Sequence, residues 1–235
     1  MKIVADLHTH TVSSGHAYST LEEYVAQAKK IGLEAIAVTD HGPAMPGGPH
    51  SYYFSNMRMI PENFDGIRIY KGIEANVINS NGDLDLSDED LARLDIVYVA
   101  MHPRCGYENQ GEKGNTEVLI KALRNPYVNV IAHPGNPKFP INVAKTVSLA
   151  KEKGVLIEIN NSSFTSREGS WDRCLEFARE IKRQDWKVIL TTDSHFSTML
   201  GVFDKALEIV NIAGLTEEHV VNTSLEKIER FLLKR

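Results

Sequence analysis

Cysteine is almost absent from this sequence. Only Cys105 and Cys174 occur among 235 residues, far apart and outside any CxxC spacing. That excludes a disulfide framework and a thiolate zinc site, and both side chains are expected as free thiols. Long apolar runs are missing too, and none approaches the roughly 20 residues of a membrane helix. The opening residues MKIVADLHTH lack the charged, apolar and cleavage regions of a signal peptide, and neither terminus carries a lipidation motif. A cytoplasmic protein with no membrane role is therefore expected. Positive charge is not in excess: the formal net charge is −5 and the pI near 6.0. This argues against duplex nucleic acid as a partner, since that binding requires many neutralised phosphates, and favours a small-molecule substrate. There is no internal repeat, low-complexity tract or linker. With 42% hydrophobic and 24% charged residues, the chain is expected as a single domain over 1–235.

What the sequence does contain is a regular alternation of short β-branched runs with amphipathic segments, the mark of an α/β protein built from repeated βα units. The expected strands are Lys2–Leu7, Ala35–Thr39, Ile67–Ile73, Ile96–Ala100, Val128–Ala132, Val155–Ile159 and Val188–Thr191. Ser19–Ile31 reads as a helix, with Leu21, Tyr24, Val25, Ala28 and Ile31 on one face. Ser19 and Glu22 suggest its capping box and Gly32 its C-terminal stop. Val143–Lys153, Trp171–Lys182 and Thr223–Leu233 read as further helices, the last with a Thr223/Glu226 capping box. Two long polar loops, Gly42–Phe64 and Pro103–Asn115, have the length of lids or binding loops, and Asn76–Asp85 has the pattern of a hairpin excursion.

The chemistry-bearing residues fall in one kind of place. His8, His10, Asp40, His41, Glu74, His102, His133, Asn160, Asp193 and His195 all stand at or just past the end of an expected strand, and His16 lies in the loop after the first. In a parallel barrel those ends converge on the face where active sites are built. Residues at i and i+2 of an extended chain point the same way, so His8/His10 and Asp193/His195 can each offer two side chains to one centre. Imidazole and carboxylate suit zinc and other first-row divalent ions. Seven imidazoles and two carboxylates exceed the needs of one ion; at roughly three to five ligands each they suffice for two or three. Asp6 and Asp40, beside ligand positions, are expected to support by hydrogen bonding, as are Asn160, Asn161 and Ser162. His50 and His219 are expected on the surface.

The segments Asp6-Leu-His-Thr-His10, Thr39-Asp-His41, Gly72-Ile-Glu74, His102, His133-Pro-Gly135 and Asp193-Ser-His195 resemble, in order, the motifs of the PHP (polymerase and histidinol phosphatase) superfamily. HAYSTL at His16–Leu21, GIEAN at Gly72–Asn76, HPGNPK at His133–Lys138 and EINNSSF at Glu158–Phe164 are similar to the YcdX-type phosphatases within it. The resemblance runs along nearly the whole chain and departs most between Pro103 and Gly114. It implies a distorted seven-stranded (β/α) barrel with three divalent ions, usually zinc, with manganese or iron as other occupants. It further implies His8, His10, Glu74 and Asp193 on one ion, Glu74, His102 and His133 on a second, and His16, His41 and His195 on a third.

The expected activity is hydrolysis of phosphate monoesters by metal-bound hydroxide, with Glu74 and Asp193 as catalytic residues. Clustered ions supply both a nucleophile and charge neutralisation for this slow reaction. Arg58, Arg104, Lys138 and Arg167 are the cations placed to grip a small phosphorylated substrate. The rival readings are a phosphodiesterase or exonuclease on single-stranded nucleic acid, an amidohydrolase-type barrel, and a non-catalytic metal-binding module. No basic-aromatic stripe supports the first. Glu74 and the His16/His41/His195 set distinguish the chain from the second. A ligand set shared thinly among several ions, leaving open positions, argues against the third.

Overall fold

The structure, a computed structural model, describes residues 1–232. Its strands are β1 (Ala5–Thr9), β2 (Ala35–Val38), β3 (Asn63–Phe64), β4 (Ile67–Asn76), β5 (Ile96–Ala100), β6 (Val130–Ile131), β7 (Leu156–Asn160) and β8 (Val188–Thr191). Seven of them pair in parallel in the order β1-β2-β4-β5-β6-β7-β8, and β3 adds to β4 as a short antiparallel hairpin. Helices return the chain between strands, so the architecture is a nearly closed seven-stranded α/β barrel.

Alternation along each strand builds the two cores. Ala35 and Ala37 of β2 point into an inner cluster with Leu7, Tyr98, Ala100, Ala132 and Ile189, where the many alanines suit a narrow barrel. Ile36 and Val38 point outwards into the larger core beneath the helices. The barrel seam lies between β1 and β8. Near the C-terminal ends it is closed by a parallel bridge between Thr9 and Ser194, and the His10 N–H donates to Ser194 O at 2.8 Å. Buried Tyr24, on the helix Leu21–Ile31, places its single hydroxyl hydrogen between Ser194 O at 2.7 Å and His10 O at 3.0 Å. Lower down the strands part, and Asn222 fills the gap. Its Nδ2 donates to Ala5 O (2.8 Å) and Leu190 O (2.7 Å), while its Oδ1 accepts from the Leu190 N–H at 3.1 Å.

Several expected boundaries move. The first strand begins at Ala5, while β4 runs three residues past Ile73, which sets Glu74 inside a strand rather than beyond it. The first helix is capped by Thr20 with Glu23, not Ser19 with Glu22, because the Ser19 hydroxyl is spent accepting from the Ser197 N–H. The C-terminal helix spans Leu225–Leu232 and Ser224 accepts from the Lys227 N–H, so a one-sided serine cap replaces the expected Thr223/Glu226 box, since Lys227 has no acceptor to return the bond; Leu233 lies outside the described residues. The loop 42–64 carries short helical turns at Ser51–Ser55 and Met57–Met59. The expected loop Pro103–Asn115 ends early, since the helix Gly111–Ala122 starts inside it behind two glycines that mask its periodicity. The 76–85 excursion is a hairpin, with Val77 bridging Leu84. Cys105 and Cys174 are both free and buried, and no described helix is long and apolar enough to cross a membrane.

Candidate metal centre

The strand ends deliver the acidic and imidazole side chains to one place. His8 lies on β1 and His10 one residue past its end, on the same face. His41 follows β2 and is held against β4 by a parallel bridge to Glu74. His102 follows β5, His133 follows β6, and Asp193 and His195 follow β8. Two of these turns are strained: His133 has φ 28° and Asp193 φ 52°, in the left-handed region that side chains avoid at a cost of about 1–3 kcal/mol. Strain of that kind persists where the surroundings over-determine a side chain's position.

Glu74 stands at the middle of the cluster and is fully buried. Its Oε1 is 2.7 Å from His133 Nε2 and 3.3 Å from His102 Nε2. Its Oε2 is 2.8 Å from His41 Nδ1 and 3.4 Å from both His8 Nε2 and His10 Nε2. Asp193 Oδ1 lies 3.0 Å from His10 Nε2. Three groups have ligand atoms within 4.8 Å of one another: His8 with His10, Glu74 and Asp193; His41 with Glu74 and His102; and His10 with His41 and His195. His41 Nδ1, Glu74 Oε2 and Asp193 Oδ1 are buried without a hydrogen-bond partner among the described residues. Orphaned polar atoms cost about 1–3 kcal/mol each, and here three of them converge among nitrogen and oxygen donors suited to divalent cations. The residues thus fit a site for divalent metal. His16 is exposed and stands outside these groups, its ring stacked 4.9 Å from that of His41 and tilted 5.1 Å from that of His195.

A ring of hydrogen bonds sets the orientation of the imidazoles. Ser14 Oγ donates to Asp40 Oδ1 at 2.6 Å and so accepts from His10 Nδ1 at 3.1 Å, leaving His10 Nε2 for the centre. His102 Nδ1 donates to Asn76 Oδ1 at 2.8 Å, and Asn76 Nδ2 donates to Asp85 Oδ2 at 2.6 Å. His195 Nδ1 donates to Asp193 O at 2.9 Å. Asp6 accepts from the N–H and hydroxyl of Thr192, and Asp40 also accepts from Thr11 and Tyr53, so both act through hydrogen bonds. Glu158 is a supporting residue the sequence reading did not single out. Its Oε1 takes a 2.6 Å bond from His8 Nδ1 and its Oε2 accepts from the His133 N–H. The signal was present: an acid inside the apolar run VLIEIN, two residues before Asn160 and on its face.

The charges reinforce one another. Burial opposes ionisation of Glu74, yet His102, His8 and His41 hold its carboxyl well below the ordinary range. Asp193 is likewise depressed against burial by His8, His10 and Arg167. Burial and the neighbouring His41 and His195 keep His10 neutral, the form that ligates. Burial pushes the Asp6 carboxyl up to about 6 despite its hydrogen bonds.

Above the cluster opens a cavity of about 340 Å³, lined by His16, His41, His102, His195 and Asp193 together with Met45, Met199, Arg167 and three hydroxyl residues. Hollows of about 610 and 620 Å³ flank the N-terminal ends of the strands and contain none of the candidate ligands. Of the four cations considered, Arg167 reaches the site, its Nη2 3.0 Å from Asp193 Oδ2. Arg58, Arg104 and Lys138 are exposed and do not line the cavity. His50 is an exposed helix cap, as a surface residue can be. His219, expected on the surface, is buried: its Nδ1 accepts from the Thr216 N–H, closing the turn that leads into Val220.

The PHP domain family profile matches residues 6–162. A protein from Acetivibrio thermocellus named "Probable phosphatase" is 47% identical over 235 residues, covering 100% of this chain and 97% of its own length. A second, from Clostridium acetobutylicum and similarly named, is 44% identical over 233 residues, covering 99% and 95%. The crystal structure of histidinol phosphate phosphatase from Lactococcus lactis, complexed with zinc, L-histidinol and phosphate, superposes with a TM-score of 0.65 at 18% identity, covering 90% of this chain and 94% of that one. At that identity the likeness is one of fold.

Proposed function

Because this chain belongs to the PHP domain family, we propose that it is a metal-dependent phosphatase that hydrolyses phosphate monoesters at a centre of three divalent ions, zinc in the first instance and manganese or iron otherwise. The observation that carries the reading is the convergence of three buried, unpartnered ligand atoms, on His41, Glu74 and Asp193, at the floor of an open cavity. His8, His10, Glu74 and Asp193 would hold one ion, Glu74, His102 and His133 a second, and His16, His41 and His195 the third. The first set coincides with a group whose ligand atoms lie within 4.8 Å; for the third, His10 stands closer to His41 and His195 than exposed His16 does. The reading treats 1–235 as a single domain, since Asp193 and His195, beyond the matched segment, return to the same face as His8.

Divalent ions held there would activate water near neutral pH and neutralise phosphoryl oxygens. The chain's own residues supply the rest. Glu74, with one oxygen towards His133 and His102 and the other towards His41, spans the cluster. Asp193 is oriented by Arg167 and Asn160 on Oδ2, which leaves Oδ1 free to ligate or to take a proton. Arg167, half-committed to Asp193 at the mouth, is the cation suited to receive a phosphoryl oxygen.

The test measures, with one preparation of known metal content, phosphate release from monoesters, nucleotide release from a single-stranded oligonucleotide and ring opening of a cyclic amide. Preference for the oligonucleotide or the amide would replace this reading with one of its rivals. Hydrolysis in labelled water should put the label in phosphate, whereas trapping a phosphoenzyme would rule out direct attack by water.

A further inference from the structure

The walls of the cavity differ from its floor. Among the described lining residues the carboxylate is Asp193, its Oδ2 held by Arg167 and Asn160 and its Oδ1 on the floor, 3.0 Å from His10 Nε2. The hydroxyls above are spent on the backbone: Ser162 Oγ donates to Thr192 O at 2.6 Å, Thr165 Oγ1 to Ser162 O at 3.1 Å and Ser166 Oγ to Ser162 O at 2.7 Å. Besides Arg167 and the imidazoles, the mouth presents two thioethers, Met45 and Met199, and hydroxyl oxygens that can accept but have no hydrogen left to donate.

The apolar surface continues outwards. Tyr18 (73% exposed), Phe196 (47%), Met199 (38%) and Val202 (43%) come from two segments that are tied together beside the mouth. The Tyr18 N–H donates to His195 O at 2.9 Å and the Ser197 N–H to Ser19 Oγ at 3.0 Å. Isolated exposed apolar residues are ordinary, but several in bonded segments, contiguous with a site, mark a binding surface.

We infer that the site selects phosphate monoesters whose leaving group is neutral and apolar or aromatic, in preference to amino-alcohol or sugar phosphates. This rests on the phosphatase reading above. An ammonium would enter beside the like charge of Arg167, and a polyol would give up hydrogen bonds to water against the thioethers and the exposed apolar side chains without regaining them there; sites discriminate through such repulsive or unpaired groups. A flat ring instead rests against polarisable Met45 and Met199, contacts that thioethers favour. The cavity of about 340 Å³ lies at the small end of the small-molecule range, which suits a one-ring leaving group.

The test compares kcat/KM of the metal-replete protein for phenyl phosphate, O-phosphoethanolamine and glucose 6-phosphate, with M199E assayed beside it. Phenyl phosphate should lead by roughly tenfold or more, the usual worth of an apolar contact. M199E should cut the phenyl-to-ethanolamine ratio by about as much, with metal content and melting temperature unchanged. Equal or better turnover of either polar ester, or an unaltered ratio in M199E, would overturn the inference while leaving the phosphatase reading intact. Release of phosphate from none of the esters would bring down both.

Discussion

His41 Nδ1 and Glu74 Oε2 face each other at 2.8 Å, both buried, yet neither makes a hydrogen bond. The contact is short in distance and wrong in angle, as two ligands of a common cation would be. Replacing Glu74 with Gln removes a charge but keeps the shape. E74Q protein should therefore bind less metal and lose activity, since one carboxylate reaches five imidazoles. Elemental analysis after dialysis reads the first effect and phosphate release the second. Full metal content with full activity would refute the bridging role. Removing metal by chelation should also lower the melting temperature, because a ligand that binds only the folded state stabilises it by mass action.

Asp85 extends the same logic one step outwards. Its Oδ2 accepts from Asn76 Nδ2, and Asn76 in turn accepts from His102, so the carboxylate fixes the amide and the amide fixes the tautomer that presents Nε2. Gly42 permits the close approach: a Cβ there would lie 2.3 Å from the Asp85 carboxylate. D85A should weaken metal binding by about 10–100-fold, the usual effect of losing an outer hydrogen bond. Titration of metal-free protein followed by calorimetry measures it. An unchanged affinity in a folded D85A variant would show that Asn76 holds His102 unaided.

Much of this was legible in the sequence because it is periodic or positional. The helix Val143–Lys153 and the strands Ile96–Ala100 and Val188–Thr191 have the bounds expected of them, for they are short runs with clean punctuation. Ligand candidates showed themselves by falling at strand ends, a local signal. The rest is tertiary. Glu158 and Asn76 matter through partners 150 and 26 residues away, and nothing in their own segments says which histidine they orient. His219 sits among Glu217, Glu218 and Thr216, which read as surface; only the packing under β8 buries it. Thr20 rather than Ser19 caps its helix because Ser197, 178 residues on from Ser19, claims the serine.

Asn222 should be a stability determinant without a role in chemistry. It bonds Ala5 O, Leu190 O and the Leu190 N–H across the part of the seam where β1 and β8 do not pair. N222L would leave those buried groups unpaired at about 1–3 kcal/mol each. The variant should unfold at markedly lower denaturant while its metal content per folded molecule is unchanged. A midpoint equal to that of the parent would mean that another contact closes the seam.

His219 makes stability depend on pH in a predictable direction. Burial, with Lys182 and Lys187 nearby, lowers its pKa below the ordinary value, against weaker opposing pulls from Asp185 and Glu218. The neutral ring is also the form the turn needs, because Nδ1 accepts from the Thr216 N–H at 3.1 Å and lies 2.9 Å from its hydroxyl. In the unfolded chain the ring titrates near its usual value of about 6.5. The unfolded state therefore binds the proton first as pH falls. The stabilisation is fully present above about pH 6.5 and is lost on descending through that value towards the lower folded pKa. H219L, which has no acceptor and no titration here, separates this term from the acid sensitivity of the carboxylates. Melting temperatures of parent and variant should differ most at pH 7.5 and draw together by pH 5. A constant difference across that range would mean that His219 contributes by packing alone.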